Sequence, residues 1–175
     1  MNADQAKFLT EFFANMLENE GKTTARVLAA VPDSGKSYKP DAKSRTAWDL
    51  ATHLALGDVW FLDSIINGKF EMEPDGESQA AAKFKTIKDV VDHYNREFPS
   101  RVKQLRALPV DKLTRVVDFF GMMQLPAAGY LGLANNHSVH HRGQLAAYLR
   151  AMGGKVPSIY GGSADEPMTG AGAAH

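Results

Sequence analysis

The chain contains no cysteine. That absence excludes disulfides, thiolate metal sites and a cysteine nucleophile, so any transition metal must be held by imidazole and carboxylate groups. There is also no surplus of charge: twenty Lys and Arg offset twenty Asp and Glu. A protein that tracks nucleic-acid phosphates carries a basic excess, so nucleic acid is not an expected partner. No stretch approaches the roughly 18 apolar residues of a membrane helix. The opening MNADQAKFLTEFF lacks the basic start and apolar run of a secretory signal. These absences together lead to an expectation of a cytoplasmic protein with no membrane partner.

What is present is ordinary for a globular chain: 175 residues, 44% hydrophobic and 23% charged. Such a length suits one domain, expected over residues 1–160, with a small, Gly/Ala-rich flexible tail over 161–175. Helical periodicity dominates. A first helix is expected from Asp4 to Val31, with Phe8, Phe12, Met16, Leu17, Val27 and Leu28 on its apolar side and Pro32 as its stop. The polar stretch 32–45 follows as a connection. A second helix should start at Thr46, where Thr46 and Asp49 resemble a capping box, and end near Asn67 before Gly68. Its inward face would carry Leu50, His53, Leu54, Gly57, Phe61 and Ile65. Residues 70–84 read as a polar loop. A third helix is expected from Thr86, with Ile87, Val90, Val91, Tyr94, Phe98, Val102 and Leu105 inward and a kink or break at Pro99. KLTRVVDFFGMMQL is β-branched and aromatic, which suits an extended segment or hairpin fragment. A last helix should begin at Pro126 and end at GGKVP. Four long helices with one irregular or extended segment before the last indicate an all-α four-helix bundle.

Three of the six histidines fall within NNHSVHHRGQL, residues 135–145. Helical residues turn by about 100° each, so His137 and His141 stand about 40° apart, one turn above the other. This is the spacing of zinc-binding HExxH helices, but no glutamate follows His137, which rules out that protease chemistry. His140 should point elsewhere. A third ligand is needed from another helix, and His53, on the apolar stripe of the second helix, is the best candidate. His93 is expected at the rim, and His175 is the last residue of the tail. The competing interpretation of each histidine is a hydrogen-bonded core side chain. Three inward histidines in one bundle would leave several polar nitrogens to satisfy, which a single metal ion does.

TAWDLATHLALGDVW in the second helix and HSVHHRGQLAAYLRAMGGKVP in the last closely resemble the DinB-like (DinB/YfiT-type) family, over roughly residues 4–157. The resemblance implies a four-helix bundle with a three-histidine site for a divalent metal, commonly nickel or zinc, and His53, His137 and His141 as its ligands. Related bundles include thiol S-transferases that use bacillithiol, mycothiol or glutathione, and a thiol-dependent maleylpyruvate isomerase. The implied function is metal-dependent thiol transfer to a small electrophile, with a low-molecular-weight thiol as cosubstrate. The alternatives are a metal-dependent hydrolase and a non-catalytic metal- or ligand-binding bundle. Around the ligands, Asp49 could orient an imidazole or only cap its helix. Arg142 could bind a substrate carboxylate or sit in a salt bridge. Gln144 could donate or accept beside the last ligand. Trp48, Trp60, Tyr130 and Tyr148 either line a cavity or belong to the core. Apolar faces on the first and third helices would suit a homodimer.

Overall fold

The computed structural model describes residues 1–168. Four long helices form the bundle: α1 (Ala3–Ala29), α2 (Ala47–Asn67), α4 (Ile87–Arg106) and α6 (Leu131–Leu149). Between them lie the short α3 (Gly76–Ala81) and α5 (Val110–Thr114), and an antiparallel hairpin of β1 (Val116–Phe119) and β2 (Met123–Pro126). α1 packs on α4 and α6, and α2 packs on the same two helices. The bundle therefore places α1 diagonal to α2.

Local chemistry sets the helix starts. Asn2 with Gln5, Thr46 with Asp49, and Thr86 with Asp89 each form a reciprocal capping box. Gly68 ends α2 in the left-handed conformation, at φ 72°. The buried face of α4 is the expected one, from Ile87 through Tyr94 and Phe98 to Leu105. Pro99 does not break it. Pro99 and Asn95, whose carbonyl loses its partner, are both exposed, so water can satisfy the freed group.

Three expectations differ from the structure. The buried stripe of α1 is Ala6, Thr10, Ala14, Leu17, Gly21, Thr24 and Leu28, whereas Phe8 and Phe12 are 72% and 49% exposed. Small residues there let α1 lie close to its neighbours, and the two rings point outward. The supposed loop 70–84 contains α3. The last helix is preceded by a 3-10 turn over Ala127–Tyr130, and its buried stripe runs through Leu131, Ala134, Ser138, Arg142, Leu145 and Leu149. Two polar residues in that stripe weaken its apolar signature, so the face expected inward, through Tyr130, Leu133, Ala134, His137, His141, Leu145, Tyr148 and Met152, is turned slightly from the buried one.

The segment before α6, expected to be extended or a hairpin fragment, is a hairpin. Its loop takes Phe120 and Gly121 through positive φ, 53° and 72°. The Tyr130 hydroxyl lies 2.8 Å from the Val117 carbonyl and accepts from the Leu125 amide at 3.2 Å, pinning the hairpin to the bundle. Phe119, Phe70 and Phe61 continue this contact inward, and the Phe61 ring centroid lies 5.0 Å from that of His137. The hairpin thus backs the histidine region. Residues 163–166 are held in place: Asp165 accepts from the Val156 amide and pairs with Arg150, and Glu166 pairs with Arg26. Residues 169–175 of the expected tail, including His175, lie outside the described residues.

Candidate metal centre

His53 stands a third of the way along α2, and His137 and His141 one turn apart on α6. Because α2 and α6 pack directly, the three rings meet, with ring centroids 4.5, 4.6 and 5.2 Å apart. One nitrogen from each lies within 4.8 Å of the other two. The Nε2 atoms face inward: His53 to His141 is 3.2 Å, and His53 to His137 is 3.4 Å.

Each outer nitrogen has an oxygen partner. His53 Nδ1 reaches Glu77 Oε1 at 2.9 Å, His137 Nδ1 reaches Asp58 Oδ1 at 3.0 Å, and His141 Nδ1 reaches Gln144 Oε1 at 2.9 Å. Carboxylate and amide oxygens accept, so the ring protons belong on Nδ1 and the Nε2 lone pairs are turned toward one another. Burial lowers the pKa of His53, against the opposing pull of Glu77. Burial also takes His141 down to about 4, with His137 and His53 adding to the effect. Neutral rings with converging lone pairs repel unless a cation lies between them. Tetrahedral ligands at metal–nitrogen bonds of about 2.0–2.1 Å stand about 3.3 Å apart. The two Nε2 separations bracket that value, so these residues fit a divalent ion.

α2 supplies more than one ligand. A Cβ at Gly57 would fall 2.6 Å from His137 Cε1 and 3.0 Å from its Nε2, so the missing side chain is the space the ring occupies. The next residue, Asp58, is only 2% exposed and holds that ring by Nδ1. Its other oxygen accepts from Ser138 Oγ at 2.7 Å and Tyr94 Oη at 3.1 Å. Burial first, then the Asp58 charge, raises the Tyr94 pKa well above its usual value and keeps the phenol a donor. Sequence reasoning missed Asp58 and Glu77. For Asp58 a signal existed: it is the one charged residue in the run LALGDVWFL, residues 54–62, directly after a candidate ligand. Glu77 lies 24 residues from His53, in a segment with no periodicity, and carried none.

The other candidates separate. Asp49 binds the Thr46 hydroxyl and amide at 2.6 and 3.4 Å, which is the cap of α2. Gln144 contacts a histidine directly. Arg142 is 1% exposed and turned toward α1, where it pairs with Glu20 and donates to Thr24 Oγ1 and Tyr160 Oη. A substrate carboxylate would have to displace that ion pair. His140 is exposed, and His93 packs at a tilt against Phe84, with ring centroids 5.2 Å apart; neither joins the three. A separate groove of about 310 Å³ lies between α1 and α4, lined by Glu18, Gly21, Lys22, Tyr94, Phe98 and Val102 among others, and holds none of the three ligands.

Comparison with known proteins identifies the family and the fold. Residues 3–170 match the model of the DinB family, a longer span than the motifs alone indicated. The chain is 25% identical over 158 residues to the protein YrdA of Bacillus subtilis, covering 89% of this chain and 90% of that one. A DinB-like protein from Bacillus cereus superimposes with a TM-score of 0.70 at 26% identity, covering 86% of this chain and 97% of that one. Another, from Bacillus subtilis, shares the fold at 22% identity with a TM-score of 0.67, covering 85% and 96%. The chain belongs to the DinB family.

Proposed function

We propose that this protein is a metal-dependent enzyme of the thiol S-transferase type, joining a low-molecular-weight thiol to a small electrophile. One observation carries the reading: three Nε2 atoms converge while each Nδ1 is committed to an oxygen. Held by neutral imidazoles alone, a divalent ion such as nickel or zinc would keep its full charge and would lower the pKa of a thiol brought to it. His53, His137 and His141 would hold the ion, and Asp58, Glu77 and Gln144 keep their rings turned inward. In the transfer, the thiol proton leaves to solvent, sulfur bonds to the electrophilic carbon, and the leaving group departs with its electron pair. Purely structural zinc sites are normally closed by four protein ligands, whereas the group found among the described residues has three.

The test is an assay of nickel- or zinc-loaded protein with bacillithiol, mycothiol and glutathione against a generic alkylating electrophile. The expected result is a thiol-dependent rate that His137→Ala lacks while keeping its helical circular dichroism. A protein with stoichiometric metal, no such rate and no thiol-dependent change in its cobalt spectrum would reject the transferase reading in favour of a binding role.

A further inference from the structure

We propose that Asp58 is the positioning residue that commits His137 to metal binding, and that buried Arg142 fixes the polarity of Asp58's surroundings through two hydroxyls. The proposal rests on the metal reading of the three histidines but concerns residues that are not ligands.

The argument follows the protons. Asp58 is a buried carboxylate and only accepts. Ser138 has a single hydroxyl proton, and at 2.7 Å it is given to Asp58 Oδ2. The Ser138–Thr24 contact at 3.3 Å must then run from Thr24 to Ser138. Thr24 in turn accepts from Arg142 Nη1 at 3.3 Å. The result is a one-way series of donors, Arg142 to Thr24 to Ser138 to Asp58, linking α6, α1 and α2. A guanidinium does not release its proton near neutral pH, so the series is not a proton wire. It is a polarised chain that begins at a permanent cation and ends at an anion. Arg142 is itself held by Glu20 and Tyr160, which leaves it one orientation.

With Tyr94 also donating to Oδ2, two protons point at one side of Asp58, and Oδ1 is left for the His137 Nδ1 proton. That assignment puts the lone pair of His137 on Nε2, facing His53. Gly57 completes the seat by leaving room for the ring. Neither Glu77, half-exposed and shared with Arg45, nor exposed Gln144 is constrained in this way.

The arrangement makes Asp58→Asn informative. The amide oxygen should take the Oδ2 position, where two hydroxyl protons wait. The amide N–H₂ then faces His137 and forces its proton onto Nε2, where it blocks coordination. Long-range proton–nitrogen spectra of the histidine rings read this directly in metal-free protein. We expect Nδ1–H at His137 in the wild type and Nε2–H in Asp58→Asn. Zinc affinity, by competition with a chromophoric chelator, should fall about 10–100-fold in Asp58→Asn with helical content unchanged. Ser138→Ala, which removes one donor and interrupts the chain, should fall between the two; it and the wild-type spectrum decide the matter if Asp58→Asn does not fold. A wild-type His137 protonated on Nε2, or Asp58→Asn binding zinc within twofold of wild type, overturns the role of Asp58 and leaves the metal reading standing. Ser138→Ala indistinguishable from wild type overturns the role of Arg142. A wild type with Nδ1–H at His137 that binds neither zinc nor nickel overturns the metal reading instead.

Discussion

Glycine inside a helix costs about 1 kcal/mol relative to alanine, and α2 accepts that cost at Gly57, one turn after His53. The return is a vacancy filled by the His137 ring, whose Cε1 stands 2.6 Å from where a Cβ would be. Gly57→Ala should therefore separate stability from metal binding. The melting temperature of the metal-free protein should hold or rise, because alanine favours the helix. Zinc affinity should fall about tenfold or more, because the ring must leave its seat and lose Asp58. Chelator competition beside a thermal melt measures both, and wild-type affinity in this variant would contradict the geometry. At this scale the sequence was partly legible. His53, His137 and His141 could be picked out because histidine on an apolar stripe needs a partner. Gly57 was visible on the same stripe, but its function depends on which ring approaches from α6. Asp58 lies four residues after Leu54 and three before Phe61, so helical spacing puts it beside the inward face, but an aspartate there is not assigned a partner by its own helix.

Between helices, the same device recurs with a different purpose. Gly21 on α1 faces Phe98 on α4, with a hypothetical Cβ 2.7 Å from the ring. Read along α1 alone, Gly21 looks like a weak point that alanine would repair. Packing predicts the opposite. Gly21→Ala should destabilise the protein by about 1–2 kcal/mol, because overpacking against a buried ring outweighs the gain in helix propensity. Urea denaturation reads the sign, and a stabilised variant would show that α1 and α4 adjust freely. The starts of α2 and α4 were readable because capping boxes are local, made by residues three apart, whereas the Asn2–Gln5 box of α1 was not picked out. The inward faces of α1 and α6 were harder. In α1 small residues replace large ones, and in α6 Ser138 and Arg142 occupy buried positions. Periodicity registers hydrophobicity, and neither stripe is strongly hydrophobic.

Over the whole molecule, the candidate centre joins two of the four bundle helices. An ion bound only by the folded protein stabilises it by about 2.7 kcal/mol when its free concentration is a hundred times Kd. For a chain of this size that corresponds to a rise in melting temperature of roughly 5–10 °C. Zinc or nickel should produce this shift in the wild type, a chelator should reverse it, and His53→Ala should abolish it. Scanning calorimetry with and without metal decides, and an unmoved transition in protein carrying stoichiometric metal would place the ion outside the cooperative unit. No helix among the described residues is long and apolar enough to cross a membrane.

The sequence by itself determined the four long helices, the caps of α2 and α4, the hairpin's extended character and the three histidines, because each depends on periodicity, neighbouring residues or residue chemistry. Tertiary structure decided the rest. Only the packing of α2 against α6 sets the Nε2 separations at 3.2 and 3.4 Å. Only the approach of α1 and α4 brings Tyr94 to a buried aspartate, and Thr24 to the serine that donates to it, around the carboxylate that faces a histidine of α6. Those contacts join residues from 36 to 114 positions apart. A one-dimensional pattern names the groups that can meet, but the direction of each hydrogen bond follows from which donors and acceptors the fold leaves facing one another.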